Sequence, residues 1–125
     1  LDVIWQDMQF WVLEINPRLS STLDLYQSRE TNLFELHVRA VNGDLSHFPE
    51  IPAHSKARNV LYAKQDLVIS ENLVWPEWTA DIPTAQTKIS QHQPICTVLA
   101  DANTASDAQD LVFERVEQLS ALLFK

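Results

Sequence analysis

Glycine is almost missing from this chain. Gly43 is the only one in 125 residues, where average usage predicts about nine. Turns that need positive φ must therefore use Asn, Asp or less suitable residues. Cysteine is equally scarce. The lone Cys96 excludes an internal disulfide and fits a reducing cytoplasm. No apolar run approaches the roughly 20 residues that span a bilayer, and no signal peptide is visible. The chain opens on Leu1 rather than methionine, so a cut or trimmed N-terminus is expected. Positive charge is in short supply: 9 bases against 17 acids give a formal net charge of −8. That balance argues against a nucleic-acid backbone or an anionic membrane as the main partner, since both need clustered cations. A local basic pocket for a phosphate is still compatible with it.

What is present fits a globular domain. Hydrophobic residues make up 46% of the chain, and a domain of this length buries roughly two-thirds of its unfolded surface. Residues 1–16 alternate in a way that predicts an antiparallel hairpin. A three-residue turn at Asp7-Met8-Gln9 pairs Gln6 with Phe10 and Asp2 with Glu14. One face then carries Val3, Trp5, Trp11, Leu13 and Ile15. The other carries Asp2, Ile4, Gln6, Phe10, Val12, Glu14 and Asn16. Pro17 stops the second strand.

Ser20, Ser21 and Thr22 suit a helix N-cap, which predicts a short helix over 22–28. A second helix is expected from Thr31, as its cap, to Asn42, with Gly43 at C′. Its Leu33, Phe34, Leu36, Val38, Ala40 and Val41 are spaced for burial over a wide face. Residues 44–58 read as a loop containing Pro49 and Pro52. Short strands follow at 59–63 and 67–69. Residues 72–87 look irregular, and 95–100 form an apolar strand through Cys96. Thr104 or Ser106 caps a final helix over 106–124. Leu111, Val112, Arg115, Val116, Leu119, Leu122 and Leu123 are its inner stripe, with Arg115 at the edge.

The segment Glu14-Ile15-Asn16-Pro17-Arg18 ends a nearly all-apolar strand in an acid, an amide, a proline and an arginine. Magnesium takes oxygen ligands in near-octahedral geometry, commonly one or two carboxylates plus substrate phosphates. Asp2 and Glu14 supply carboxylates from neighbouring strands, and Asn16 supplies an amide oxygen. The fork of Arg18 suits a phosphoryl group or a carboxylate. The competing reading is an ordinary polar strand end, because Glu-X-Asn at such a position is common.

Residues 14–21, with Asp2 twelve residues before Glu14, resemble the metal-binding segment of ATP-grasp ligases. Resemblance implies that Asp2, Glu14 and Asn16 hold magnesium. It also implies that Asn16 and Arg18 meet the nucleotide, and that Arg18 contacts the transferred phosphoryl group as the catalytic arginine. The family usually has a glycine after this arginine, where this chain has Ser20-Ser21. Segments 59–63, 81–83 and 94–100 and the final helix look, more weakly, like the C-terminal subdomain of a branch related to biotin carboxylase. Relatives there tend to have glycines near Gln86 and Gln93.

The fold expected is therefore α+β: residues 1–43 as the end of an ATP-grasp core, 44–58 as a loop, and 59–125 as a small β subdomain closed by a helix. Resemblance implies an ATP- and magnesium-dependent ligase that joins a carboxylate to an amine-type nucleophile through an acyl phosphate. Its nucleotide-binding lysines would lie in an N-terminal remainder of the same polypeptide, so the fragment alone would be inactive. A small-molecule carboxylate is the implied substrate, with no nucleic acid and no membrane as partner. A homodimer is compatible with the chain. The alternative is a non-catalytic interaction or dimerisation module derived from such a protein.

Other chemistry is weaker. His37, His47, His54 and His92 lack zinc-ligand spacing with Cys96. His37 reads as a packing-edge residue, and His47 and His54 as solvated. Cys96 reads as an inert buried thiol, and the Trp75/Trp78 pair as a packing corner. Asp101, Asp107 and Asp110 read as complements to the last helix's dipole. Tyr62 and Lys64 are candidate substrate contacts that nothing in the sequence compels.

Overall fold

The computed structural model describes residues 1–18, 20, 23–26, 32–46 and 53–124. The chain is mixed α and β, with antiparallel sheets, and it divides into two units, Leu1–Pro49 and Glu50–Lys125.

The first unit opens with the expected hairpin, β1 (Asp2–Gln6) and β2 (Gln9–Glu14). Its turn is two residues long, not three. Asp7 and Met8 both have positive φ, 50° and 63°. Two such residues match the right-handed twist of the flanking strands, as in a type I′ turn. Gln6 consequently pairs with Gln9, Trp5 with Phe10, Ile4 with Trp11 and Val3 with Val12. The faces differ from the expected ones: Val3 and Trp5 lie with Phe10 and Val12, while Ile4 lies with Trp11 and Leu13. Trp5 and Phe10 stack with ring centroids 6.4 Å apart. A bulge between Asp2 and Val3 then shifts the register back, so Asp2 still faces Glu14. The turn removes one residue from the register and the bulge restores it.

Both faces of this ribbon are apolar and both are exposed, with Trp5 at 61% and Phe10 at 62%. The helices that follow are α1 (Leu23–Tyr26) and α2 (Leu33–Val41). The proposed caps Ser21, Thr22 and Thr31 lie outside the described residues. Asn32 caps α2 instead, its side chain accepting from the Glu35 N–H at 3.1 Å. Gly43 sits at C′ with φ 83°, as expected. The wide apolar face of α2 does not become a core: Phe34, Val38 and Val41 stay exposed.

The core belongs to the second unit. Its β3 (Ser55–Tyr62) begins four residues before the expected strand, inside the expected loop. The others are β4 (Leu67–Val68), β5 (Thr79–Ala80), β6 (Lys88–Ile89) and β7 (Pro94–Ala102). One sheet has the order β3-β7-β5 and another pairs β4 with β6. Helix α3 (Ala105–Leu123) packs on β3 and β7. Thr104 caps it, accepting from Asp107 N–H at 3.1 Å. Leu61, Cys96, Val98 and Ala100 share the sheet face that joins Val112 and Leu119 in the core. The expected stripe holds for Val112 and Leu119, with Leu111, Val116 and Leu123 partly buried. Leu122 instead is exposed, and Ala108 and Ser120 take buried places.

The shortage of glycine has a visible cost. Asp81, Gln86 and His92 take φ of 53°, 65° and 67°. Left-handed backbone costs a side-chain-bearing residue about 1–2 kcal/mol, while glycine gives back about 0.5–1 kcal/mol through the unfolded chain. Gln86 and His92 have exposed side chains. Gln86→Gly and His92→Gly should each therefore stabilise the second unit by up to about 1 kcal/mol, raising Tm by several degrees in a thermal melt.

Candidate functional site

The hairpin's open end carries the candidate site. Asp2 and Glu14 are cross-strand partners. Asn16 Nδ2 donates to Asp2 Oδ2 at 3.2 Å across fourteen positions of sequence. That bond leaves the Asn16 Oδ1 acceptor and the second Asp2 oxygen for other partners. Pro17 is why the chain turns here, since it cannot extend the ladder. The turn is closed by Arg18 N–H donating to Asn16 C=O at 2.8 Å. Arg18 itself is exposed.

The fold thus brings Asp2 and Asn16 into contact and places Glu14 opposite Asp2. Two carboxylates and an amide oxygen are hard donors of the kind magnesium prefers. They are fewer than an octahedron needs, so phosphate oxygens or waters must complete it. Among the described residues no group of three or more His, Cys, Asp or Glu side chains is placed to hold a metal.

Elsewhere the titratable groups read as structural. Cys96 is buried, and burial, with a smaller push from the Asp81 carboxylate, raises its thiol to about 11 from 9.0. A thiol held protonated is a poor nucleophile. The linkage has a definite sign. From pH 9 upwards the unfolded thiol loses its proton while the folded one keeps it, so stability falls as pH rises towards 11. Cys96→Ala should flatten that decline relative to the parent chain in denaturant titrations across this range. His37, His54 and His92 are exposed, and His47 lies outside the described residues. Trp75 and Trp78 pack against the core. Arg115 lies 5.4 Å over the Trp78 ring and donates to Leu99 C=O at 2.6 Å. Asp107 stands in the first turn of α3, whereas Asp101 lies within β7. Tyr62 is exposed at the end of β3, and the Lys64 C=O accepts from Gln91.

One constellation escaped the sequence reading. Arg58 Nη2 donates to Thr97 Oγ1 at 3.0 Å, and that hydroxyl donates to Asp81 Oδ2 at 2.8 Å. The line ties β3, β7 and the end of β5 together. Its only sequence signal was a hydroxyl inside the apolar run 95–100. Thr97 is 2% exposed, and a buried hydroxyl requires partners.

Comparison with known proteins yields no relative: no family model, no curated protein and no solved structure matches the chain. No helix among the described residues is long and apolar enough to cross a membrane.

Proposed function

We propose that this chain is the C-terminal part of an ATP-grasp ligase that uses ATP and magnesium to activate a small-molecule carboxylate. The observation that carries the reading is the meeting of Asp2 with Asn16 at 3.2 Å, opposite Glu14, in a segment that continues into Pro17-Arg18. Asp2, Glu14 and Asn16 would hold magnesium. Arg18 would bind the γ-phosphoryl group as its bond to the ADP oxygen breaks, ADP leaving with the bonding pair, and its bond to a substrate carboxylate oxygen forms. Bound magnesium supplies charge neutralisation at the phosphates. An amine-type nucleophile then attacks the acyl phosphate carbonyl carbon. The C–N bond forms as the C–O bond to phosphate breaks, and phosphate leaves with the bonding pair. A reducing cytoplasm suits the free Cys96 thiol.

The exposed hairpin supports the partner assigned here, the N-terminal remainder of the same polypeptide. A two-stranded ribbon apolar on both faces suits the inside of a larger sheet covered on both sides. The test is ATP turnover. A polypeptide extended upstream of Leu1 should split ATP in a magnesium- and carboxylate-dependent way, and residues 1–125 alone should not. No turnover by the extended chain with any of a panel of carboxylates would contradict the reading. The second reading, an interaction or dimerisation module, draws on the same exposed hairpin.

A further inference from the structure

The chain's single glycine follows an asparagine. Asn42-Gly43 is the one Asn-Gly step in the sequence, and each of the other five asparagines precedes a residue with a side chain. An asparagine side chain can be attacked by the next backbone nitrogen, and a side chain on that next residue crowds the attack. Glycine, with no Cβ, leaves it open. Asn42 and Gly43 are both exposed.

The C-terminal cap of α2 holds this step in an unreactive shape. Gly43 N–H donates to Ala40 C=O and Asp44 N–H to Arg39 C=O, each at 3.0 Å, the two bonds of a Schellman motif. Asn42 Nδ2 donates to Val38 C=O at 2.9 Å. Ring closure needs the Asn42 Cβ and the Gly43 nitrogen nearly eclipsed about the Cα–C bond. At ψ 8° the Asn42 nitrogen is eclipsed with it instead. The attack therefore waits for the cap to open. Opening is easy in α2, which has nine residues and none of them buried.

We propose that Asn42 is a deamidation site gated by the α2 cap, and that the reaction keeps the cap from re-forming. In the opened cap the Gly43 nitrogen, its proton lost to solvent base, bonds to Asn42 Cγ. The Cγ–Nδ2 bond breaks, and Nδ2 takes the bonding pair and a solvent proton to leave as ammonia. Water then opens the cyclic imide at either carbonyl, which leaves aspartate or β-linked isoaspartate in place of Asn42. Either product lacks the amide donor to Val38 C=O and sets a negative charge at a helix C-terminus, where the dipole disfavours it. Isoaspartate also adds a methylene to the main chain. The inference concerns α2 alone and stands apart from the ligase reading.

Peptide mapping by mass spectrometry of the ageing chain, in buffer and in urea, tests it. The first peptide to show the mass of an amide-to-acid exchange should be the one that holds Asn42. Three hydrogen bonds must open, so the folded chain should react about tenfold or more slowly than the chain in urea. Asn32→Ala removes the cap at the other end of α2 and should speed the folded chain about fivefold. Gly43→Ala should slow the reaction in urea. Asn42→Asp carries the product's charge from the outset and should speed hydrogen exchange at the Gly43 and Asp44 amides. Equal rates with and without urea overturn the proposal. So does a folded chain that reacts first at another asparagine, gains nothing at Asn42, or reacts no faster with Asn32→Ala. Unchanged exchange in Asn42→Asp overturns the second half of it.

Discussion

Glu14→Ala should lower the ATP turnover of the extended polypeptide by about 100-fold or more. Removing one group that stabilises charge developing in a transition state typically costs 10²–10³ in kcat. Among the described residues Asp2 and Glu14 are the two carboxylates at the hairpin end, so losing Glu14 would halve the anionic charge of the proposed site. The deficit should shrink as magnesium is raised, because a weakened site is filled by mass action. Glu14→Gln keeps the size and one oxygen and removes the charge, so it should fall between parent and alanine variant. Glu117→Ala, on the exposed side of α3, should leave turnover unchanged. Steady-state rates over a magnesium series check all three, and an unchanged rate in Glu14→Ala would remove Glu14 from the metal site.

Leu119→Ala should cost the second unit about 2–5 kcal/mol. Leu119 is fully buried, 0% exposed, in the one core among the described residues. Truncating such a leucine loses its transfer free energy and leaves a cavity that neighbours fill only in part. Total stabilities of small domains are about 5–15 kcal/mol, so the variant loses a large share and its Tm should drop by roughly 10 °C or more. Leu122→Ala, one turn away on the same helix but 43% exposed, should cost under about 1 kcal/mol. Denaturant unfolding of the pair separates them, and equal losses would mean that α3 packs through a different face.

That contrast also marks where the sequence could be read. The final helix was legible because Thr104 offers its cap and the apolar spacing persists for five turns. The strand through Cys96 was legible because its apolar run is bounded on both sides. Leu122 was misassigned because periodicity gives a stripe's centre better than its edge. The hairpin was legible as a hairpin, and its turn was not. Asp-Met carries no glycine signal for a two-residue turn, so the longer turn looked natural and the faces came out wrong. Pairing of Asp2 with Glu14 survived that error because the bulge returns the lost residue. No alternation rule announces a bulge. The short β5 and β6 hold two residues each, too few for any period to show. The line from Arg58 through Thr97 to Asp81 spans 39 and 16 positions of sequence, and only the fold brings those residues together.

Apolar patterning also misled for the first unit. Its spacing predicts burial, yet no described residue there is fully buried, and of its apolar residues only Leu23, Leu25, Leu33 and Leu36 are partly buried. Period and burial are separate facts: a strand or helix can be patterned for a partner that its own unit does not contain. The ligase reading draws on that mismatch, since it assigns the apolar surface to a partner outside the unit.

The central claim is that the hairpin end gathers oxygen ligands around one divalent cation. Manganese, which accepts the same ligands and broadens nearby NMR signals, tests it most directly on residues 1–125. With a non-hydrolysable ATP analogue present to supply phosphate oxygens, substoichiometric manganese should broaden the Asn16 side-chain amide and the backbone amides of Asp2 and Glu14 first. Signals of Asp101, Asp107 and Asp110 should follow only at much higher metal. Broadening that spreads evenly over the exposed acids, or that spares Asn16, would contradict the account.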